Sequence, residues 1–185
     1  MTTASPEEKS AASSASPFDG PSTWQLDAQA SSVTFSHKTM WGLATVRGKF
    51  GEVSGFAEIP ASGPAHGRLE IAAASIDTKL GKRDTHLRSA DFFNTAVTPA
   101  IVAEISEATR QGDTVAASGT LTVAGTTRPL ALTAKIAEAT AGAITLVAET
   151  EFNRADFGMT WNQLGMIKGN ALVSVAATFV KSAAG

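Results

Sequence analysis

The chain has 185 residues, enough for one domain with a hydrophobic core, and a formal net charge of −2 at pH 7. This slightly negative net charge argues against a nucleic-acid-binding protein, because neutralising phosphates requires a basic face. The sequence has no Cys, which excludes disulfides, a thiolate nucleophile and a Cys-ligated zinc. Its apolar runs are too short to predict a membrane span.

The N-terminal segment differs in composition from the rest of the chain. It is rich in Ser, Ala, Thr and Pro and contains Glu7, Glu8 and Lys9. Such a segment buries too little apolar surface to fold, so we expect a disordered tail over residues 1–21. It lacks the basic start and the apolar stretch of about 7–15 residues that a secretory signal needs. A chain that starts at Met1 is therefore expected to remain cytoplasmic.

From residue 22 onward, apolar and polar residues alternate with the period of strands that bury one face. Val33, Phe35 and His37, for example, would share one face of a strand. Turns rich in Gly and Pro separate the segments. The predicted strands cover residues 24–27, 31–38, 45–50, 55–59, 67–73, 98–105, 114–124, 128–136, 143–152 and 170–181. Eight or more short antiparallel strands favour a β-barrel or a β-sandwich.

One charged segment interrupts this pattern. Residues 82–90 are compatible with a helix, in which Leu80 and Leu87 would share one face. Asp84 and Arg88 have the i, i+4 spacing of a helical ion pair. We therefore predict one short helix between the strands.

The residues expected to face the interior are mostly Ala, Gly and Val, with a few large side chains such as Phe and Trp. Small inward side chains leave a barrel incompletely filled, which predicts a cavity for a ligand. The same composition also fits a packed core in which Ala and Gly interleave with Phe. The pattern alone leaves both interpretations open.

Five motifs in order resemble the YceI-like proteins, also called polyisoprenoid-binding lipocalin-like proteins. They are Trp24-Gln25-Leu26-Asp27 with Ser32-Val33-Thr34-Phe35; Val46-Arg47-Gly48-Lys49-Phe50; Arg83-Asp84-Thr85-His86-Leu87-Arg88-Ser89-Ala90-Asp91-Phe92-Phe93, preceded by Ile76-Asp77-Thr78 and followed by Pro99; Gly119-Thr120-Leu121-Thr122-Val123-Ala124-Gly125-Thr126-Thr127-Arg128-Pro129-Leu130; and Asn153-Arg154-Ala155-Asp156-Phe157-Gly158. The resemblance extends from about Trp24 to Val180.

The resemblance implies an all-β fold: an antiparallel lipocalin-like β-barrel of about eight strands with one short helix, spanning residues 22–182. Its apolar tunnel would hold a long-chain isoprenoid or a similar amphiphile, such as a polyprenyl chain or an isoprenoid quinone. The bound lipid would be cargo, and no other cofactor is expected. Many members are periplasmic or secreted, and dimers are common, so a homodimer is one expected state.

A tunnel of this kind needs large inward side chains and few polar groups at one end. The residues that we predict to line it are Phe35, Trp41, Val46, Phe50, Leu87, Phe92, Phe93, Ile101, Leu121, Leu132, Phe152, Phe157 and Trp161. For each of them, plain core packing is the alternative. The tunnel mouth would be shaped by residues 39–44 and 153–169.

The head group of the lipid has three candidate contacts, His86, Arg83 and Arg154. The alternative, which we favour, is structural: Arg83 and Asp84 would fix the ends of the helix to neighbouring loops through charged hydrogen bonds, and Arg154 with Asp156 would brace the late loop, residues 153–169.

We predict a binding protein that sequesters or carries its lipid, and not an enzyme. Asp84, His86 and Ser89 are too close along the chain to converge as a triad. The spacing of His37, His66 and His86 matches no metal-binding motif. An enzyme acting on a small hydrophobic substrate is one alternative, and it would need a titratable residue with a perturbed pKa inside the barrel. A scaffold barrel is the other, and the absence of a cavity would favour it.

Overall fold

The protein was described from a computed structural model, which covers residues 17–18, 20–167 and 169–182. The predicted tail over residues 1–21 lies mostly outside the described residues. The described elements are β1 (Ser22–Leu26), β2 (Ser32–Thr39), β3 (Ala44–Phe50), β4 (Val53–Ile59), β5 (Ala65–Ala72), β6 (Ile76–Asp77), α1 (Gly81–Arg88), β7 (Ala100–Gln111), β8 (Thr114–Val123), β9 (Thr126–Ala139), β10 (Ala143–Phe152) and β11 (Ala171–Lys181). Across this part of the chain, none of the helices has the length and apolar character needed to cross a bilayer.

Eight of the strands form a closed antiparallel barrel. They follow the order β1-β4-β5-β7-β8-β9-β10-β11, and β11 returns to pair with β1, with Lys181 opposite Trp24. Closure satisfies the backbone groups that an open sheet would leave unpaired at its edges. The predicted all-β antiparallel barrel with one short helix is therefore confirmed, and the sandwich alternative is not.

The β2–β3 hairpin continues the barrel wall toward one end. β11 pairs with β1 at Phe179 and Lys181 and with β2 at Leu172 and Ala176, so β1 and β2 lie along consecutive stretches of the same strand. β3 and β4 lie along β2 and β1 in the same way. The hairpin is thus outside the ring of eight strands, and β6 pairs with its outer edge.

The antiparallel registers distinguish the two ends of the barrel. The turn Met40–Gly42 and residues 153–170 lie at one end, together with the segment of α1, and we call this the helix end. The turns at residues 60–64, 112–113 and 140–142 lie at the opposite end, which we call the far end.

α1 lies close to its predicted position but packs differently. It spans Gly81–Arg88 instead of residues 82–90. Leu80 precedes the first helical residue and is 52% exposed, whereas Leu87 packs against the core. The prediction that the two leucines share one helical face is therefore wrong, because the helix begins after Leu80.

The predicted ion pair between Asp84 and Arg88 is replaced by two separate interactions. Asp84 is buried, and its Oδ1 accepts hydrogen bonds from the backbone N–H and the hydroxyl of Thr78. Arg88 donates to the carbonyl oxygens of Ala74 at 2.7 Å and Ile76 at 2.8 Å. Both side chains therefore fasten α1 to the segment that precedes it.

A cluster of buried apolar side chains lies toward the helix end. The buried cluster there consists of Val33, Ile71, Ala73, Phe92, Ile101, Leu121, Val123, Leu130, Phe157 and Met159. Its members come from the strands, from the segment after α1 and from the late loop, so this cluster joins the helix to the barrel.

Gly119 on β8 lies where β7 is irregular. It is opposite Ile105, next to the register shift between Ile105 and Glu107. A Cβ at residue 119 would overlap the carbonyl oxygen of Glu104, which belongs to the backbone of β7 and cannot rotate away. We expect Gly119→Ala to lower the free energy of unfolding by about 1–3 kcal/mol, the usual cost of overpacking, in urea denaturation.

The control for this substitution is Gly81→Ala, because a Cβ at residue 81 meets no atom within 4 Å. We expect this variant to unfold at the urea concentration of the parent protein or higher. Equal stability of the two variants would show that the close approach at Gly119 does not constrain the barrel.

Candidate ligand-binding cavity

A cavity of about 370 Å³ occupies the barrel interior. All eight strands of the closed ring contribute to its wall. At the helix end, the wall consists of members of the buried cluster, such as Phe157 and Val123, and of the rings of Phe50, Phe93 and Phe152 that pack against the cluster. This part of the wall is called the floor. The sequence was compatible with either a cavity or a packed core. The structure contains both, because a packed cluster lies at the helix end and a cavity extends along the barrel axis from it.

Small side chains make room for the cavity. The small residues in its wall are Ala57, Ala65, Gly67, Ala103, Ala108, Ala117, Ala134, Ala148, Ala171 and Ala177. They come from seven different strands, so no single strand is responsible for the space. A larger residue at these positions would point its added atoms at the cavity or at its lining, as Leu and Phe do in a filled barrel.

Seven of the thirteen predicted lining residues border the cavity. They are Phe50, Phe93, Ile101, Leu121, Leu132, Phe152 and Phe157. The aromatic members pack in pairs: the rings of Phe50 and Phe93 are 5.8 Å apart and nearly perpendicular, and those of Phe152 and Phe157 are 6.2 Å apart. These edge-to-face contacts hold the aromatic rings of the floor in fixed orientations.

Three other predicted lining residues lie on the β2–β3 hairpin and do not border the cavity. Trp41 is at the turn and is 53% exposed. Phe35 packs on Phe50 with ring centroids 5.6 Å apart, which places it behind the floor, and Val46 lies on the neighbouring strand of the hairpin. They lie nearer the turn of the hairpin than Val33 and Phe50, the hairpin residues that do border the cavity.

The remaining three predicted lining residues, Leu87, Phe92 and Trp161, also pack behind the floor. Phe92 is buried, and its ring is 5.6 Å from that of Trp161. Leu87 reaches the same cluster from α1. Together they attach the helix and the late loop to the barrel, so their place in the structure is that of core packing.

His86 and Arg83, two of the head-group candidates, are outside the cavity wall. The His86 ring lies edge-on to Trp161, with centroids 4.4 Å apart, and its Nε2 is 3.0 Å from Asp91 Oδ2. Arg83 donates to the hydroxyl and the carbonyl oxygen of Thr78, each at 2.7 Å. Their contacts brace α1 and its flanks.

Arg154 is the head-group candidate that borders the cavity. Its Nη1 donates to the carbonyl oxygens of Met159 at 2.8 Å and Trp161 at 2.6 Å. Burial lowers the pKa of this guanidinium from its ordinary value, but arginine remains charged in proteins. The side chain therefore holds the late loop against the cavity wall at the helix end.

Sequence reasoning missed the charged residues that border the cavity toward the far end. Glu58 and His66 lie 3.5 Å apart across β4 and β5. Arg68 donates to Glu70 at 2.9 Å and also pairs with Glu104. The hydrogen bond to Glu70 is the largest cause that raises the pKa of Arg68. Arg68 therefore has two partners of opposite sign, and the carboxylate of Glu58 lies beside the ring of His66.

Arg110 and Phe18 also border the cavity near the far end. The guanidinium lies 4.4 Å from the centroid of the Phe18 ring, and its Nε donates to the carbonyl oxygen of Gly112 at 2.8 Å. We predicted polar groups around a mouth at residues 39–44 and 153–169, whereas these charged side chains lie at the opposite end. Phe18 offered a signal, since it is an aromatic residue in a segment otherwise rich in Ser, Ala and Pro.

Within residues 17–18, 20–167 and 169–182, no three His, Cys, Asp or Glu side chains are grouped so that they could hold a metal ion.

The sequence matches the model of the YceI-like domain over residues 24–179. Among curated proteins, it is 34% identical over 97 residues to protein YceI of Escherichia coli and 31% identical over 97 residues to a UPF0312 protein of Pseudomonas aeruginosa. Each match covers 51% of this chain and 51% of the relative, so it spans about half the length of these curated relatives.

Solved structures share the fold at low sequence identity. BcnA of Burkholderia cenocepacia superposes with a TM-score of 0.73 at 17% identity, over 83% of this chain and 98% of BcnA. A polyisoprenoid binding domain from Saccharophagus degradans, implicated in plant cell wall breakdown, gives 0.69 at 18% identity, over 86% and 98%. The YCEI protein of Campylobacter jejuni gives 0.65 at 22% identity, over 77% and 88%.

Proposed function

Because the chain belongs to the YceI-like family, we propose that it binds a long-chain isoprenoid or similar amphiphilic lipid inside the barrel and shields it from water. The observation that carries the proposal is the cavity of about 370 Å³ whose wall is formed mainly by apolar side chains. The domain from Saccharophagus degradans that shares the fold is described as polyisoprenoid binding, which supports a prenyl chain as the cargo.

The free energy of binding comes from removing the hydrocarbon chain of the lipid from water. Each square ångström of apolar surface that the lipid buries contributes about 25 cal/mol, before the entropy cost of ordering the lipid is subtracted. A lipid with many methyl and methylene groups therefore binds tightly without a reactive side chain. The wall does not need to recognise functional groups along the chain, so it selects chiefly for apolar character, length and width.

The distribution of charge suggests the orientation of the ligand. The floor presents the rings of Phe50, Phe93 and Phe157, whereas Arg110 and the pair of Glu58 and His66 border the cavity toward the far end. We infer that the apolar end of the lipid rests on the floor and that its polar head group lies near the far end, where charged side chains and water can solvate it.

Catalysis is not part of this proposal. An enzyme in the same cavity would need a titratable side chain whose pKa the barrel interior shifts to suit proton transfer. Arg154 is a wall residue whose pKa is lowered by burial, but it is a cation bonded to two carbonyl oxygens and accepts no proton. The scaffold interpretation depended on an absent cavity, and a cavity is present.

Native mass spectrometry of protein purified from its own host tests the proposal. We expect a mass above that of the polypeptide, with a co-purifying polyprenyl chain or isoprenoid quinone identified after solvent extraction. Protein that carries no lipid is then incubated with a polyprenyl alcohol. The proposal is wrong if the mass equals that of the bare chain in both experiments.

A further inference from the structure

Large apolar side chains are exposed on two neighbouring turns at the helix end. Met40, Trp41 and Leu43, at the turn of the β2–β3 hairpin, are 50%, 53% and 86% exposed, and Leu164 on the late loop is 79% exposed. The turns are joined by a hydrogen bond of 3.2 Å from the Trp41 N–H to the carbonyl oxygen of Met166. We call Met40, Trp41, Leu43 and Leu164 the apolar tip.

The backbone of the apolar tip is in an unfavourable conformation. Met40, Trp41 and Leu164 have φ angles of 50°, 56° and 53°, in the left-handed region where a Cβ is poorly tolerated. Glycine would relieve this strain at each position. Large apolar residues in its place both strain the chain and expose apolar surface to water, a combination that marks a surface for contact with something apolar.

The outward face of the same hairpin carries three cations, Lys38, Arg47 and Lys49, all of them exposed. Within the part of the chain that the structure describes, none of the three side chains has a hydrogen-bonded or ion-paired partner. The acidic residue facing Lys49 across the sheet is Asp77, whose carboxylate is bonded to Lys79 at 2.7 Å. Asp77 also interacts electrostatically with Lys49, but one carboxylate does not balance Lys38, Arg47, Lys49 and Lys79, so the hairpin surface beside the apolar turn is net positive.

Apolar turns flanked by exposed cations are complementary to the surface of an anionic bilayer. Tryptophan and other large apolar side chains favour the boundary between head groups and acyl chains, and Lys or Arg beside them are attracted to anionic head groups. We propose that the β2–β3 hairpin and the Leu164 turn dock the barrel on an anionic lipid surface, with the apolar tip inserted and Lys38, Arg47 and Lys49 against the head groups.

Docking at the helix end leaves the far end of the cavity turned toward solvent. The surface is separate from the cavity wall, since none of Met40, Trp41, Leu43 and Leu164 borders the cavity. Membrane docking and lipid binding in the barrel can therefore be tested independently, and failure of one does not imply failure of the other.

Co-sedimentation with vesicles tests the proposal. The protein is mixed with vesicles of phosphatidylcholine alone or of an equal mixture of phosphatidylcholine and phosphatidylglycerol. We expect it to sediment mainly with the anionic vesicles, and the double variant Trp41→Ser/Leu43→Ser to remain in solution. Val180→Ser is the matched control, because Val180 is 43% exposed on β11 near the opposite end of the barrel and should not affect sedimentation.

The contribution of charge is measured with Lys38→Gln/Arg47→Gln/Lys49→Gln. Each cation near an anionic membrane is worth about fivefold in affinity, so the triple variant should bind on the order of 100-fold more weakly at low salt. Lys135→Gln, which removes an exposed cation from β9, should bind like the parent protein.

Two results would overturn the proposal. One is a parent protein that stays in solution with anionic vesicles. The other is a Trp41→Ser/Leu43→Ser variant that sediments as the parent does. Sedimentation velocity without vesicles identifies the competing occupant: if the same double variant converts a dimer into a monomer, the apolar tip contacts a second copy of the chain and not a bilayer.

Discussion

Replacing Ala134 with Phe should abolish retention of a prenyl lipid while the barrel stays folded. Ala134 is 6% exposed on β9 and borders the cavity, so the added ring occupies space that the lipid would fill. If it displaces about four methylene groups, at about 0.8 kcal/mol each, the affinity falls by roughly 3 kcal/mol, or about a hundredfold. Native mass spectrometry and titration with a fluorescent polyprenyl probe measure the loss.

The control for this substitution lies three residues earlier on the same strand. Ala131 is exposed on the outer surface, so Ala131→Phe adds the same ring without entering the cavity. We expect Ala131→Phe to bind lipid as the parent does. Ala134→Phe should keep a β-sheet circular dichroism spectrum and a cooperative unfolding transition. A folded Ala134→Phe that still carries its full complement of lipid would place the ligand elsewhere.

Replacing Asp84 with Ala should destabilise the fold by about 3 kcal/mol, the cost of leaving buried donors without their charged acceptor. Asp84 and Thr78 are 7% and 4% exposed, and the Asp84 carboxylate accepts both the hydroxyl and the N–H of Thr78, the latter at 3.0 Å. Without it, the buried N–H of Thr78 loses its acceptor. Arg83 donates to the hydroxyl of the same Thr78, so its side chain would be held in place less firmly. Urea denaturation measures the loss.

Asp91→Ala is the matched control for Asp84→Ala. The Asp91 side chain is 51% exposed and pairs with His86, and exposed ion pairs are usually worth below about 1 kcal/mol. We expect Asp91→Ala to unfold near the midpoint of the parent protein. If the two variants were equally stable, the buried hydrogen bonds of Asp84 would not be what holds α1 in place.

The all-β class of the fold could be predicted from the sequence, because the alternation of apolar and polar residues involves only neighbouring positions along each strand. The period-2 pattern, the turn residues and the motifs located nearly every strand. Asp84 was expected to fix the helix to a neighbouring segment, and it does, but its partner could not be identified in this way. Its spacing to Arg88 suggested an ion pair, whereas the structure pairs it with Thr78, which lies before the helix and approaches it only in the folded chain.

Only part of the candidate site could be predicted from the sequence, and the reason is related. Alternation separates inward from outward side chains, and it placed residues such as Leu121 and Leu132 in the wall. It does not indicate how far along the barrel axis a side chain lies. Phe35 and Val46 were therefore predicted to line the cavity, although their hairpin continues past the ring of eight strands.

The balance between cavity and core also depends on position along the axis. Small and large inward residues are both evident in the sequence, and their proportions fit either interpretation. Only the strand registers show that the buried cluster gathers toward the helix end, whereas alanines such as Ala108 and Ala117 lie toward the far end, as do the large wall residues Trp24 and Phe179.

This segregation has a consequence for how the protein can change over evolutionary time. The bulky cluster around Phe92 and Phe157 carries much of the stability, whereas an alanine wall contributes little to it. Mutations between Ala, Val and Leu in that wall would resize the binding space by one to three carbon atoms at a time, at small cost to folding. Descendants of one barrel can thus acquire different cargoes through a few substitutions, while the aromatic floor continues to keep them folded.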